Sequence, residues 1–187
     1  ISACLVGSEM CIRDSRGSPV GILFRYLYGT SGVAMSNTME CSVSWTGASG
    51  TRSGMGFVAE TGRGHVVAMD GAPDAAKPEN GGRNQAPRPM ELLLAGAGGC
   101  TAYDVVLILK RGRHDVRGCT VQIQAERAEV DPKVFTRINL HFVVTGRGLP
   151  AAAVERAIHM SHEKYCSATI MLAKTAEVGT SFELRED

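Results

Sequence analysis

The sequence lacks a dominant charge of either sign. Its 187 residues carry 20 Lys and Arg against 19 Asp and Glu, a formal net charge of +1. That balance gives no basic bias of the kind a nucleic-acid partner requires. Long unbroken apolar runs are also missing. The most hydrophobic segment, ELLLAGAGGCTAYDVVLILKR (91–111), is interrupted by Gly96, Gly98, Gly99, Tyr103 and Asp104. It falls short of the roughly 18 unbroken apolar residues of a membrane span and reads as a buried core helix. A phosphate loop is absent too, because GAGG at 96–99 is not followed by Lys-Ser/Thr. No internal repeat or low-complexity tract is visible. The N-terminal apolar run is too short for a secretory signal.

What is present is enough apolar material, 44% of residues, for one globular domain with a core. The N-terminus stands apart. Cys4–Ser15 (CLVGSEMCIRDS) back-translates, with suitable codons, to most of a transposon adapter used in preparing sequencing libraries. Residues 1–34 are therefore expected to be a non-native, disordered leader, and 35–187 the domain, with Met35 or Met39 as the start. Four cysteines remain in that domain: Cys41, Cys100, Cys119 and Cys166. Without a signal peptide they read as thiols of a reducing cytoplasm rather than as a disulfide framework.

The pattern along the domain is α+β. Glu40–Trp45, Gly56–Glu60 and His65–Asp70 are strand-like runs, followed by a proline-rich surface loop from Gly71 to Pro89. Pro89 opens a helix, Glu91 lies in its first turn, Lys110 and Arg111 end it, and Gly112 stops it. Val121, Ile123 and Ala125 alternate with polar residues, as do Ile138, Leu140, Phe142 and Val144, with Asp131–Lys133 turning between them. That predicts an antiparallel hairpin with one face on a core. A second helix is expected from Ala151 to about Tyr165, a short one over Ser167–Thr175, and a last strand, Thr180–Leu184, that closes the sheet.

Cys41 and Cys119 read as packing or surface residues. Cys100 and Cys166 differ, because each adjoins a hydroxyl residue (Thr101, Ser167) and each sits where helical structure is expected to break. A bend at Gly98-Gly99 would leave free N–H donors near Cys100 and stabilise a thiolate there; the same glycines could instead allow close backbone packing. Asp104, four residues on, would raise the Cys100 thiol pKa if the helix is regular. Tyr103 and Tyr165 read as core or as walls of an apolar pocket. His159, His162 and Cys166 share a helical spacing that permits a metal site or a histidine assisting the thiol, but a solvated face is the plainer reading. Composition leaves two options open: a reactive thiol pair or two core thiols.

The segments PMELLLAGAGGCTAYDVVLILK, AERAEVDPKVFTRINLHFVVTG and HEKYCSA, in that order, resemble the OsmC/Ohr family, in its YhfA-like branch. The resemblance covers about Met39 to Glu186. It implies an OsmC-like α+β fold, an antiparallel sheet packed on long central helices, in an intertwined homodimer with active sites at the subunit interface. It also implies a thiol-dependent peroxidase acting on organic hydroperoxides. Cys100 matches the peroxidatic cysteine and Cys166 the resolving cysteine. The family's glutamate ten residues before the first cysteine falls on Met90 here, with Glu91 as the nearest carboxylate; the early-loop arginine is matched by Arg63. No metal or other cofactor is implied. The partners are a second copy of the chain, a hydroperoxide and a dithiol reductant such as a lipoylated protein. The alternative is a dimeric ligand-binding or redox-sensing module without efficient turnover.

Overall fold

Alternating apolar residues build the centre of the domain. In the computed structural model, which describes residues 38–47 and 54–187, strands β4 (Asp115–Arg127) and β5 (Phe135–Arg147) form a long antiparallel hairpin. The leader expected over 1–34 lies outside the described residues, and the elements below belong to the unit Cys41–Asp187. Pairing sets Val121 opposite Phe142, Ile123 opposite Leu140 and Ala125 opposite Ile138. Ile138, Leu140, Phe142 and Val144 are buried in the main core, and each such side chain contributes about 1.5–3 kcal/mol by leaving water.

Helix α1 (Pro89–Arg111) lies against β4 and carries Val105 and Leu109 into that core. By length and composition α1 could cross a membrane, so the polar and glycine interruptions do not decide its role. It is not buried on most sides as expected: Ala97, Gly98, Thr101, Val105 and Leu109 face the core, but only 28% of its apolar stretch is buried. Of the two readings of Gly98-Gly99, a break in the helix is not seen, since α1 runs unbroken through both residues. Gly98 serves close approach instead: a Cβ there would sit 2.6 Å from Ile123 Cδ1, whereas one at Gly99 meets nothing within 4 Å. At the C-terminus the N–H of Gly112 donates to Ile108 O at 2.9 Å. Gly112 itself stays right-handed; the left-handed residue that turns the chain is Arg113, at φ 61°.

After β5 the chain crosses back through α2 (Ala151–Met160), a wide turn at Ser161–Tyr165, and α3 (Ser167–Leu172). Such a long helical crossover returns the chain in its original direction. Strand β6 (Glu177–Glu186) accordingly pairs parallel with β5, although β4–β5 is antiparallel. It is longer than the predicted Thr180–Leu184. The early strands β1 (Cys41–Trp45), β2 (Phe57–Thr61) and β3 (Val66–Met69) form a separate antiparallel sheet in the order β1-β2-β3. The last strand therefore closes one of two sheets, not a single one.

The proline-rich loop is anchored by buried Asp70. Its Oδ1 accepts from Gly71 N–H at 2.7 Å, and its Oδ2 accepts from Arg83 N–H at 2.9 Å and Gln85 N–H at 3.0 Å. The Gln85 N–H above all, with those of Gly71 and Arg83, holds the Asp70 carboxyl below the usual range. A lowered folded pKa means that the stabilisation is present above the unfolded value of about 3.9 and is lost as pH falls through the folded one.

Two outcomes are expected. Asp70→Ala should speed tryptic cleavage after Arg83 several-fold at neutral pH; an unchanged rate would mean that the loop is held by other groups. Gly98→Val should cost about 1–3 kcal/mol in urea unfolding through overpacking against β4, and Ile123→Ala in the same chain should recover part of it. Additive losses would place the strain elsewhere.

Candidate functional site

The wide turn after α2 decides where Cys166 lies. Sequence spacing predicts one helix to Tyr165, but α2 ends at Met160 and the next turn closes through a hydrogen bond from Cys166 N–H to Ser161 O at 2.8 Å. That bond spans five residues, the spacing of a π-turn. Cys166 then leaves helical backbone and caps α3: its Sγ accepts from Thr169 N–H at 3.5 Å, and Thr169 Oγ1 donates to Cys166 O at 3.1 Å. The sulfur is fully buried, 4.0 Å from Ala97 O of α1.

Cys100 lies one turn after Ala97 on the same helix and is partly exposed. The two sulfurs and a carboxylate oxygen of Asp104 all lie within 4.8 Å of one another. Burial is the main cause that pushes the Cys100 thiol above its ordinary pKa; a hydrogen bond with Cys166 and the Asp104 charge add to it. The Ala168 N–H, at the start of α3, acts in the opposite direction. The donor near Cys100 thus comes from another helix, and not from the bend in α1 that the glycines suggest.

A hydroxyl chain fixes Asp104. Ser161 Oγ donates to Asp104 Oδ2 at 3.1 Å and shares a 2.9 Å hydrogen bond with Thr101 Oγ1, and both hydroxyl residues are buried. Helical spacing from Ala151 to Tyr165 sets Ser161 on one face with Val154, Ile158 and Tyr165. Its serine identity on that face is the available signal, since a buried hydroxyl needs a partner.

The other predicted residues lie apart from the two cysteines. Glu91 is exposed and accepts from Arg88 N–H at 2.9 Å, capping α1 nine residues, or about 13 Å, from Cys100. Arg63 is exposed in the β2–β3 turn, and among the described residues no hydrogen bond joins it to Glu91 or either cysteine. His159 Nε2 contacts Glu163 Oε1 at 3.1 Å, while His162 Nδ1 is a buried atom without a partner among the described residues. Tyr103 and Tyr165 are not core: they are 69% and 45% exposed.

Residues 82–181 match the family described as OsmC-like protein. The chain belongs to the OsmC-like family. The "Protein YhfA" of Escherichia coli strain K12 is 46% identical over 146 residues, 78% of this chain and 98% of that protein. A crystal structure of a hypothetical protein from Aquifex aeolicus VF5 is 25% identical, covers 81% of this chain and 99% of its own, and superposes with a TM-score of 0.66. In fold alone the chain is also similar to an organic hydroperoxide resistance protein OsmC from Legionella pneumophila. That structure is 18% identical over 81% of this chain and 99% of that one, with a TM-score of 0.55. The OsmC-like fold expected from the sequence is thus present.

Within this OsmC-like site, Asp104→Asn removes a charge that opposes the Cys100 thiolate. Alkylation of Cys100 by iodoacetamide at pH 7.5 should rise at least about twofold, with exposed Cys41 unchanged as the internal control. An equal or slower rate at Cys100 would show that the carboxylate does not set its reactivity.

Proposed function

We propose that this chain is a cytoplasmic, homodimeric, thiol-dependent peroxidase that reduces organic hydroperoxides. The observation that carries the reading is the close approach of Cys100 and Cys166, 66 residues apart in sequence. The Cys100 thiolate attacks one oxygen of the peroxide O–O bond. That bond breaks, the alkoxide takes a proton and leaves as alcohol, and Cys100 becomes a sulfenic acid. The Cys166 thiol then condenses with it, releasing water and forming the disulfide. A dithiol, such as a lipoylated protein, reduces that disulfide by exchange and is itself oxidised. The buried Cys166 meets the intermediate before bulk water does. The likeness in fold to the organic hydroperoxide resistance protein OsmC of Legionella pneumophila supports the substrate class.

A second copy of the chain is part of this reading. Val43, Trp45, Val66, Leu93 and Tyr103 expose apolar surface on the early sheet and on α1. That surface supports an intertwined dimer, as such patches mark interaction sites. Glu91 and Arg63, apart within one subunit, would then act across the interface, the arginine supplying the positive charge that a Cys100 thiolate needs.

One observation favours the redox-sensing alternative. The Cys100 thiol is raised by burial, by Cys166 and by Asp104, which slows attack at neutral pH. Turnover separates the two readings. With dihydrolipoamide as reductant, the peroxidase should sustain many cycles of cumene hydroperoxide reduction, and Cys100→Ser or Cys166→Ser should lower the rate at least about a hundredfold. A single oxidation per subunit without turnover would favour the sensor, and thiols inert to peroxide would end both readings.

A further inference from the structure

Beyond redox chemistry, the geometry points to a second use of the same pocket: Cys100, Asp104 and Cys166 form a binding site for one thiophilic divalent cation of the zinc and cadmium class. Two thiolates and a carboxylate are the donor set that borderline-soft ions take. Cys100 and Asp104 are four residues apart on α1 and share a face, while Cys166 approaches from the start of α3. The three ligand atoms lie within 4.8 Å of one another. Around a tetrahedral ion with metal–sulfur bonds of about 2.3 Å, the donors stand about 3.5–3.8 Å apart. Small side-chain rotations bring them to that spacing, each thiol giving its proton to solvent.

Two further features fit a metal centre. The ligands are held from outside: Ser161 Oγ donates to Asp104 Oδ2, Thr101 steadies Ser161, and Thr169 N–H points at Cys166 Sγ. Such support orients ligands and raises affinity. The site also gathers three groups able to carry negative charge, and among the described residues Asp104 has no ion-pair partner. A divalent cation offsets that crowding, and the partly exposed side at Cys100 leaves room for a fourth, non-protein ligand. Metal and disulfide are mutually exclusive states of the same two sulfurs, so the ion would block their oxidation. The inference needs only reduced thiols and does not rest on the peroxidase reading.

The test is titration of the reduced full-length chain, carrying Cys4→Ser and Cys11→Ser, with cadmium chloride. The sulfur-to-cadmium charge-transfer absorption in the ultraviolet reports binding. One equivalent per subunit is expected. The band should be lost in Cys100→Ser and in Cys166→Ser, retained in Cys119→Ser, and titrate at least tenfold more weakly in Asp104→Asn. A stoichiometric band that survives either cysteine substitution, or an unchanged affinity in Asp104→Asn, would overturn the assigned ligands. Alkylation mapped by mass spectrometry tests the unsubstituted site directly, free of any folding defect in the variants. Cadmium should protect the partly exposed Cys100 at least tenfold while Cys41 continues to react; equal labelling of Cys100 with and without the ion would overturn the proposal.

Discussion

A single hydrogen bond between Cys166 N–H and Ser161 O fixes the geometry on which the site depends. It widens the end of the second helical segment by one residue and brings the chain out of helical backbone at Cys166. An ordinary helical turn would carry the cysteine further around its own axis. The widened turn instead lets Cys166 become the cap of a new helix, with its sulfur against Ala97 and near Cys100. The same turn buries Ser161 where its hydroxyl can reach Thr101 and Asp104. Thiol approach and carboxylate positioning therefore share one local cause.

The scaffold makes that turn possible. A long hairpin, with Phe142, Leu140 and Ile138 buried along β5, gives α1 a firm surface to rest on. Gly98 lets the helix settle onto Ile123 without a side chain between them. Cys100, two residues on, is then held by rigid packing. The crossover through α2 and α3 must return to the edge of β5 to place β6 in parallel, and this route carries Cys166 over α1. The electrostatics remain in tension: burial and Asp104 oppose a Cys100 thiolate, whereas an N–H at the start of α3 favours it. A positive charge from a second subunit, or a cation between the three ligands, would resolve that tension in different ways.

Much of the architecture was legible from periodicity. The alternation at Val121–Ala125 and Ile138–Val144 predicts the hairpin, and Pro89, Lys110 and Arg111 mark the ends of α1. Asp104 was legible too, because four residues on a regular helix set it beside Cys100. Other features were not. A pattern of apolar positions cannot distinguish an α-helical turn from a π-turn, so Ser161–Tyr165 reads as plain helix. Two adjacent glycines permit a bend as readily as close packing; Ile123, distant in sequence, selects the latter. The strong apolarity around Tyr103 suggests core, yet the ring is exposed.

By itself, the sequence determined the alternation of strands and helices and the family, because these follow from local pattern and residue type, and through that family it singled out Cys100 and Cys166 as candidates. Tertiary structure alone decided that the Cys166 sulfur joins Cys100 and Asp104, that Ser161 is the buried hydroxyl holding that carboxylate, and that Glu91 caps a helix while Arg63 stands apart. The physical reason is range. Helix caps and alternation are settled within a few residues, whereas the environment of a thiol depends on chain segments that only packing brings into contact.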